Sequence, residues 1–435
     1  MRIFKNILFA SMIFFGLQLW AQQTPAPAQS ETIILKGATA HLGNGNVIEN
    51  SIIVFENGKI TNISGPSGPE KMGKTINIAG KHVYPGIIAP VSTLGLAEID
   101  AIRPTRDFDE IGDFIPNIRS LIAYNAESKV VESMRPNGVL LAQITPQGGD
   151  ISGTSSIVQL DAWNWEDAAV KIDDGIHLHW PNTMRRGRWW MGEERGWKPN
   201  KKYEEDAAKF HSYIANAKAY GKSDPASLNE GFKAMQGLFD GSKTLYFYAD
   251  GEKEIIDGIT SLKESGIQKI VLVGGYEAYK IIPFLKQNNI PVIVDRVHTT
   301  PNADDDDYDL PYKLPKLLAD GGLTVSLNAR GQMERMNTRN LPFYAGQVIG
   351  QGMDKEAALQ MITSNTAKIL GIDNSYGTLE VGKSATLFVS EGDALDMSGN
   401  IVTHAFIDGR EVSLETHQTK LWKRYANKYG QETEE

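Results

Sequence analysis

Lys269-Ile270-Val271-Leu272-Val273 is a short apolar run rich in β-branched residues, and a helical pattern over residues 276–287 follows it. A second apolar run, Ile290-Pro291-Val292-Ile293-Val294, comes directly after. Runs this short, without polar alternation, suit strands buried on both faces, as in a parallel sheet covered by helices. The same texture extends outward. Upstream, residues 139–144 and 245–248 read as buried strands, and 253–264 as a helix closed by Gly266. Downstream, residues 310–319 read as a helix, 323–327 as a strand, and 355–370 as one long amphipathic helix ending at Gly371. Strands alternating with helices predict a parallel sheet. Carried over residues 84–376, the pattern predicts an α/β fold, a (β/α)8 TIM-like barrel.

Both ends of the chain have a different texture. Residues 32–36, 51–55 and 60–63 are β-type runs, with Asn57-Gly58 between the last two. After Gly371, residues 385–389, 401–407 and 412–414 repeat it, with Asp408-Gly409 as a turn. Asn-Gly and Asp-Gly between apolar runs signal hairpins. Segments 31–83 and 377–415 are therefore expected to build one small β-sandwich flanking the barrel. The tail 416–435 reads as helical, with Leu421, Trp422 and Tyr425 on one face.

The first 21 residues read as a signal peptide: Arg2 and Lys5, an apolar run over 7–20, then Leu19-Trp20-Ala21 before Gln22. A retained anchor is the alternative; the run is short for a span and contains Gln18. Residues 22–30 read as a disordered Pro/Ala/Gln linker. The chain has no Cys, hence no disulfide and no thiolate metal site. Export without cysteines suits a bacterial periplasm. A net charge of -9 argues against nucleic acid and against an anionic membrane surface. The expected partners are a small-molecule or peptide-like ligand, a second copy, or a related protein.

Three stretches resemble one known family. They are Gly80-Lys81-His82-Val83-Tyr84-Pro85-Gly86-Ile87-Ile88, Ser364-Asn365-Thr366-Ala367-Lys368-Ile369-Leu370-Gly371 and Gly377-Thr378-Leu379-Glu380-Val381-Gly382-Lys383-Ser384-Ala385-Thr386-Leu387. In order and spacing they resemble the amidohydrolase superfamily, its imidazolonepropionase-like and dihydroorotase-like branches. The resemblance implies hydrolysis of non-peptide carbon–nitrogen bonds by one or two divalent metals at the C-terminal mouth of the barrel. It implies His-x-His on strand one, a carboxylated Lys or Glu on a middle strand, a His on each of strands five and six, and an Asp on strand eight.

At those positions this sequence has other residues. Val91 and Thr93 replace His-x-His, Tyr248 replaces the strand-five His, and Asn328-Ala329-Arg330 stands where the Asp is expected. His298 is the sixth-strand candidate for a retained ligand. Pocket candidates are therefore Thr93, Tyr248, Asp250 and Arg330. A catalytic zinc site needs about three protein ligands, so the expected cofactor is none, with zinc only in a rearranged site.

Other features could serve such a site. His177-x-His179 mimics the family's pair, though it falls far later in the chain, and on a strand both rings share a face. An exposed polar strand end is the plainer reading. Trp163, Trp165, Trp180, Trp189, Trp190 and Trp197 crowd residues 163–197, with Arg185, Arg186, Arg188 and Arg195 among them. This suits a lid or a binding surface for a peptide, sugar or anion, with Trp163, Trp165, Trp180, Arg185, Trp189 and Trp190 as contacts. A satellite core is the alternative. Residues 147–156 could cradle an anion or simply turn, and Asp304–Asp307 could hold calcium or be solvated. Three functions follow: a degenerate amidohydrolase that binds a ligand or partner, an active hydrolase with a rearranged metal site, or a structural subunit beside an active relative.

Overall fold

The computed structural model describes residues 24–68, 72–187, 189–222, 227–331 and 333–431. The leader (1–21) and Arg188 lie outside these residues. One sheet carries eight barrel strands in chain order: Ile87–Ser92, Val139–Ile144, Ile151–Gln159, Ala169–His179, Thr244–Ala249, Ile270–Gly274, Val292–Val294 and Val325–Leu327. All pair in parallel except the third, which is antiparallel to both neighbours. The reason is local. Only a tight turn with Gly148 (φ 83°) and Gly149 (φ 66°) joins strands two and three. A parallel return needs a dozen or more residues, so this connection forces a hairpin. Residues 147–156, read as a possible anion loop, are this turn and the buried start of strand three.

Strands one and eight do not pair directly. Met361 and Ile362 stand between them: Leu327 N–H donates to Met361 O (3.2 Å) and Ile88 N–H to Ile362 O (3.0 Å). This use of the backbone breaks the expected long helix into Lys355–Gln360 and Ser364–Leu370. The second piece closes the barrel floor, where Ala367, Ile369 and Leu370 pack against Ile88, Leu141 and Ile293. The expected helix over 276–287 is likewise a 3-10 turn, Ala278–Ile281, followed by Ile282–Gln287.

As expected, strands from both chain ends come together beside the barrel, hydrogen-bonded into one further sheet. Its order is Arg410–Glu411, Val402–Ile407, Leu387–Ser390, His82–Pro85, Ile33–His41, Val47–Glu56 and Lys59–Ser64, with Lys74–Asn77 also on Ile33–His41. Asn57 (φ 50°) and Gly58 (φ 77°) make the expected tight turn, as do Asp408 (φ 47°) and Gly409 (φ 73°). Gly86 links this sheet to barrel strand one. A Cβ there would lie 2.8 Å from Thr386 and 3.1 Å from Leu140, so only Gly passes.

Residues 24–30, expected to be a disordered linker, are tied down. Ala26 N–H donates to Asp161 (2.8 Å), Arg410 donates to Ala26 O (3.0 Å), and Gly58 N–H donates to Gln29 (2.8 Å). The tail forms the helix His417–Tyr429, capped by Thr416 and Thr419. Among the described residues no helix is long and apolar enough to cross a membrane.

Candidate functional site at the barrel mouth

Seven parallel strands converge at one end of the barrel, and their last residues form its mouth. Strand four matches Tyr246 with His177 and Tyr248 with His179. The His177–His179 pair is therefore a barrel element in the mouth, not an exposed strand end. The His177 ring stacks on Tyr246 (4.7 Å) and its Nδ1 hydrogen-bonds Tyr248 OH (2.7 Å). The His179 ring stacks on Tyr248 (4.1 Å). The Arg330 guanidinium lies over the same Tyr248 ring (5.1 Å) and ion-pairs with Asp295 (2.8 Å). Four aromatic rings and one guanidinium thus fill the centre of the mouth.

The electrostatics follow from this packing. Burial first, then His179, hold the His177 pKa well below its ordinary value. Burial and the Arg330 charge push His179 down to about 4. Both rings are neutral at pH 7. Burial raises Tyr246 and Tyr248 far above the usual phenol range. Asp250 is pushed up to about 6, first by lost hydration and then by Asp295. Below the rings, buried Asp174 accepts from Tyr246 OH (2.7 Å), Ser155 (2.7 Å) and Gln143 (3.0 Å). Burial raises its pKa in spite of these bonds.

The expected ligand positions do not fit the divalent metal that the resemblance implies. Val91 offers no donor atom and has φ 51°; its N–H donates to Gln143 (3.1 Å). The Thr93 hydroxyl donates to Glu334 (2.7 Å), as does its N–H (3.0 Å). Tyr248 is engaged with His177, and Asp295 with Arg330. His177 Nε2 is buried and has no hydrogen-bond partner among the described residues. Among those residues no three His, Asp or Glu side chains are grouped to hold a metal ion.

The remaining candidates divide sharply. His298 follows strand seven, because strand six is Ile270–Gly274; the ring lies edge-on to Tyr344 (5.0 Å), away from the His177 pair. Trp180 is 5% exposed and donates to Tyr203 OH (3.2 Å), so it belongs to the core. Trp163 and Trp165 follow the antiparallel strand three and therefore sit at the barrel base, Trp165 packed against the core. Residues 163–197 are thus not one lid or binding surface: barrel strand four runs through their middle. Arg185, Trp189 and Trp190 do belong to the mouth, on a hairpin formed by Met184–Arg186 and Trp197–Pro199. Arg185 is bound there by Glu193 (2.6 Å), while Trp189 and Trp190 are exposed. In the 304–307 loop, Asp306 accepts from Tyr276 OH (2.8 Å) and Asp307 pairs with Lys313 (2.5 Å).

Sequence reasoning passed over Asp295, Arg296 and Glu334. A cavity of about 460 Å³ beside the ring stack is lined by Asp250, Asp295, Arg296, Arg330, Thr299 and Asn302 among others. Neither His177, His179 nor Tyr248 lines it. Buried Glu334 also accepts from Ser92 (2.6 Å) and Thr338 (2.9 Å), tying strand one to the helix after strand eight. The positions of Asp295 and Arg296, at the end of a strand, were the signal that could have found them.

Residues 314–412 match the family model of the Amidohydrolase family, a span that includes two of the three resembling stretches. Among solved structures, the chain is similar to an amidohydrolase from Thermotoga maritima MSB8 (TM-score 0.77, 22% identity, covering 88% of this chain and 99% of that one). It is also similar to an adenosine deaminase from Xanthomonas campestris with bound zinc (TM-score 0.53, 14% identity, 93% and 98% covered). A third is molinate hydrolase (TM-score 0.53, 15% identity, 90% and 96% covered). No curated protein matches the chain. The family model thus covers the C-terminal part of the chain, and the solved structures share its fold along most of the chain.

Proposed function

We propose that this protein is an exported amidohydrolase-family member that binds a ligand or partner at its barrel mouth and no longer performs metal-dependent hydrolysis. One observation carries the reading. Arg330, over Tyr248 (5.1 Å) and paired with Asp295 (2.8 Å), supplies a fixed cation in the part of the mouth where the family places its metal. A divalent ion beside that guanidinium would meet like-charge repulsion in a site of reduced dielectric. The cavity remains, and its lining of Asp250, Arg296 and Arg330 can hold a polar ligand. Export rests on the leader-like residues 1–21.

The test is metal analysis of the mature protein purified from zinc-supplemented culture. Metal far below one equivalent per chain is expected, with no amide hydrolysis above background. Stoichiometric zinc that disappears in His177→Ala or His179→Ala would overturn the proposal. That outcome belongs to a second reading, a rearranged C–N hydrolase. It is supported by the presence of both histidines in the mouth and by the unpartnered His177 Nε2.

A further inference from the structure

The mouth cavity is not isolated. Asp250, Tyr276 and Asn302 also line an adjoining cavity of about 390 Å³. Arg186, Trp197, Asn302 and Ala303 line both that one and an outer cavity of about 570 Å³. The three make one groove, from Arg330 to the cleft between the 184–199 hairpin and the 299–309 loop. Tyr276 braces the loop wall: its OH donates to Asp306 (2.8 Å) and accepts from Asn302 N–H (3.1 Å).

The two walls of the outer cleft differ in chemistry. On the hairpin wall, Arg186 lies over Trp197 (5.1 Å) and Arg195 over Trp189 (5.2 Å). Trp189 and Trp197 remain 59% and 49% exposed, and a monomer rarely shows so much aromatic surface without a use for it. The loop wall offers Asp304 and Asp305, which have no hydrogen-bond or ion-pair partner among the described residues. The inner end repeats the balance, with Asp250 and Asp295 against Arg296 and Arg330.

We infer that this groove binds a neutral oligosaccharide. The inference rests on the binding reading of the mouth given above. Both ends carry equal numbers of acidic and basic groups. The middle cavity adds Glu254, Glu277 and Asp306 against Arg186. Glu254 is bonded to Thr183, Glu277 to Lys280 and Asp306 to Tyr276, so the groove does not call for a strongly charged ligand. It does call for one whose groups donate to carboxylates and accept from guanidinium and amide N–H within the same unit. A sugar hydroxyl does both. The apolar faces of sugar rings suit indole platforms, and a chain of rings suits three cavities in line. A peptide with apolar side chains fits less well, since Met184 and Ala303 are the only aliphatic side chains described along the two outer cavities.

The experiment titrates the mature protein with cello-, chito-, xylo- and malto-oligosaccharides, from disaccharide to hexasaccharide, by Trp fluorescence and calorimetry. Saturable binding of at least one series is expected, tightening with chain length. Trp197→Ala and Trp189→Ala should each weaken it tenfold or more, and the Asp304→Ala/Asp305→Ala double variant several-fold. Trp163→Ala, at the barrel base, should not change it. All four variants alter exposed side chains, and circular dichroism checks their fold. No binding by any series, binding indifferent to the two Trp variants, or preferential binding of end-blocked hexa-alanine would each overturn the inference. Metal content is measured on the same samples. Stoichiometric zinc with intact sugar binding sinks the metal-free reading alone; metal-free protein that ignores sugars sinks this one alone.

Discussion

Replacing Arg330 by Met removes the charge at the mouth while keeping most of the side-chain volume. Three losses follow. The Asp295 ion pair (2.8 Å) joins side chains 30% and 34% exposed, so screening limits it to about 1 kcal/mol. The guanidinium over Tyr248 contributes about 1 kcal/mol more. Asp295 is then left beside Asp250 without its cation, which costs about 1 kcal/mol further. The expected total is about 3 kcal/mol, read as a lower urea midpoint at unchanged slope. The loss should depend on pH. Asp250 already titrates near 6, and Arg330 is the charge that holds it down from higher values. Without that charge the native pKa rises further above the unfolded value. The folded state then holds more protons than the unfolded one between the two values, so stability falls as pH rises through that window. Arg330→Met should therefore lose more at pH 7.5 than at pH 5. His179, kept near 4 by burial and by Arg330, should move up but stay below 6.5, because burial remains; NMR of labelled histidine measures this. A midpoint within error of wild type at pH 7.5, or an unmoved His179, would refute Arg330 as the structural cation of the mouth.

Tyr248→Phe strips His177 Nδ1 of its partner inside the barrel and should cost about 2 kcal/mol in chemical denaturation; a neutral result would mean that water already serves that nitrogen. Glu334→Ala leaves Ser92, Thr93 and Thr338 without a shared buried acceptor, so a loss of about 3 kcal/mol and faster amide exchange in strand one are expected. Asp250→Asn removes the carboxylate that titrates near 6 and should flatten the wild type's decline in stability from pH 5 to pH 7. Trp180→Ala should cost about 4 kcal/mol and leave any ligand affinity of the folded protein unchanged, since that indole is in the core.

The fold was largely legible because its signals are local. Short apolar runs at 139–144, 244–249 and 270–274 are strands whatever surrounds them, and Asn57-Gly58 turns as its dihedrals require. The antiparallel third strand was missed although its cause is in the sequence: Gly148-Gly149 leaves no room for a crossover. The broken helix at 361–363 was not legible, since its cause is a bond to Ile88, more than 270 residues away. Spacing along the chain also misled the site reading. It read His177 and His179 as an exposed strand end and placed His298 on strand six, because the count of strands before them depended on recognising that hairpin. Asp295 and Glu334 gain their meaning only from Arg330 and Thr93, which meet them in space.

That mutual dependence bears on what kind of site this is. A metal centre that had merely decayed would leave its carboxylates without a cation, and unpaired charges crowded at a barrel mouth are destabilising. Here the parts compensate one another. Asp295 has Arg330, Glu334 has the Thr93 N–H and hydroxyl, and the space between holds rings stacked at 4.1 and 4.7 Å. Restoring His at position 91 alone should therefore not restore metal binding. The new imidazole would enter a backbone site at φ 51° in the cluster that holds Tyr246 and Tyr248, and the Tyr248 ring is covered by neutral His179 and cationic Arg330 rather than by free carboxylates. Zinc titration of Val91→His should stay below half an equivalent per chain at micromolar metal, and the Val91→His/Arg330→Asp double variant should bind more tightly than either single change. Equal, tight zinc binding by the single variant would mean that Arg330 does not stand in for the metal, and that the mouth lacks a ligand rather than a vacancy for the ion.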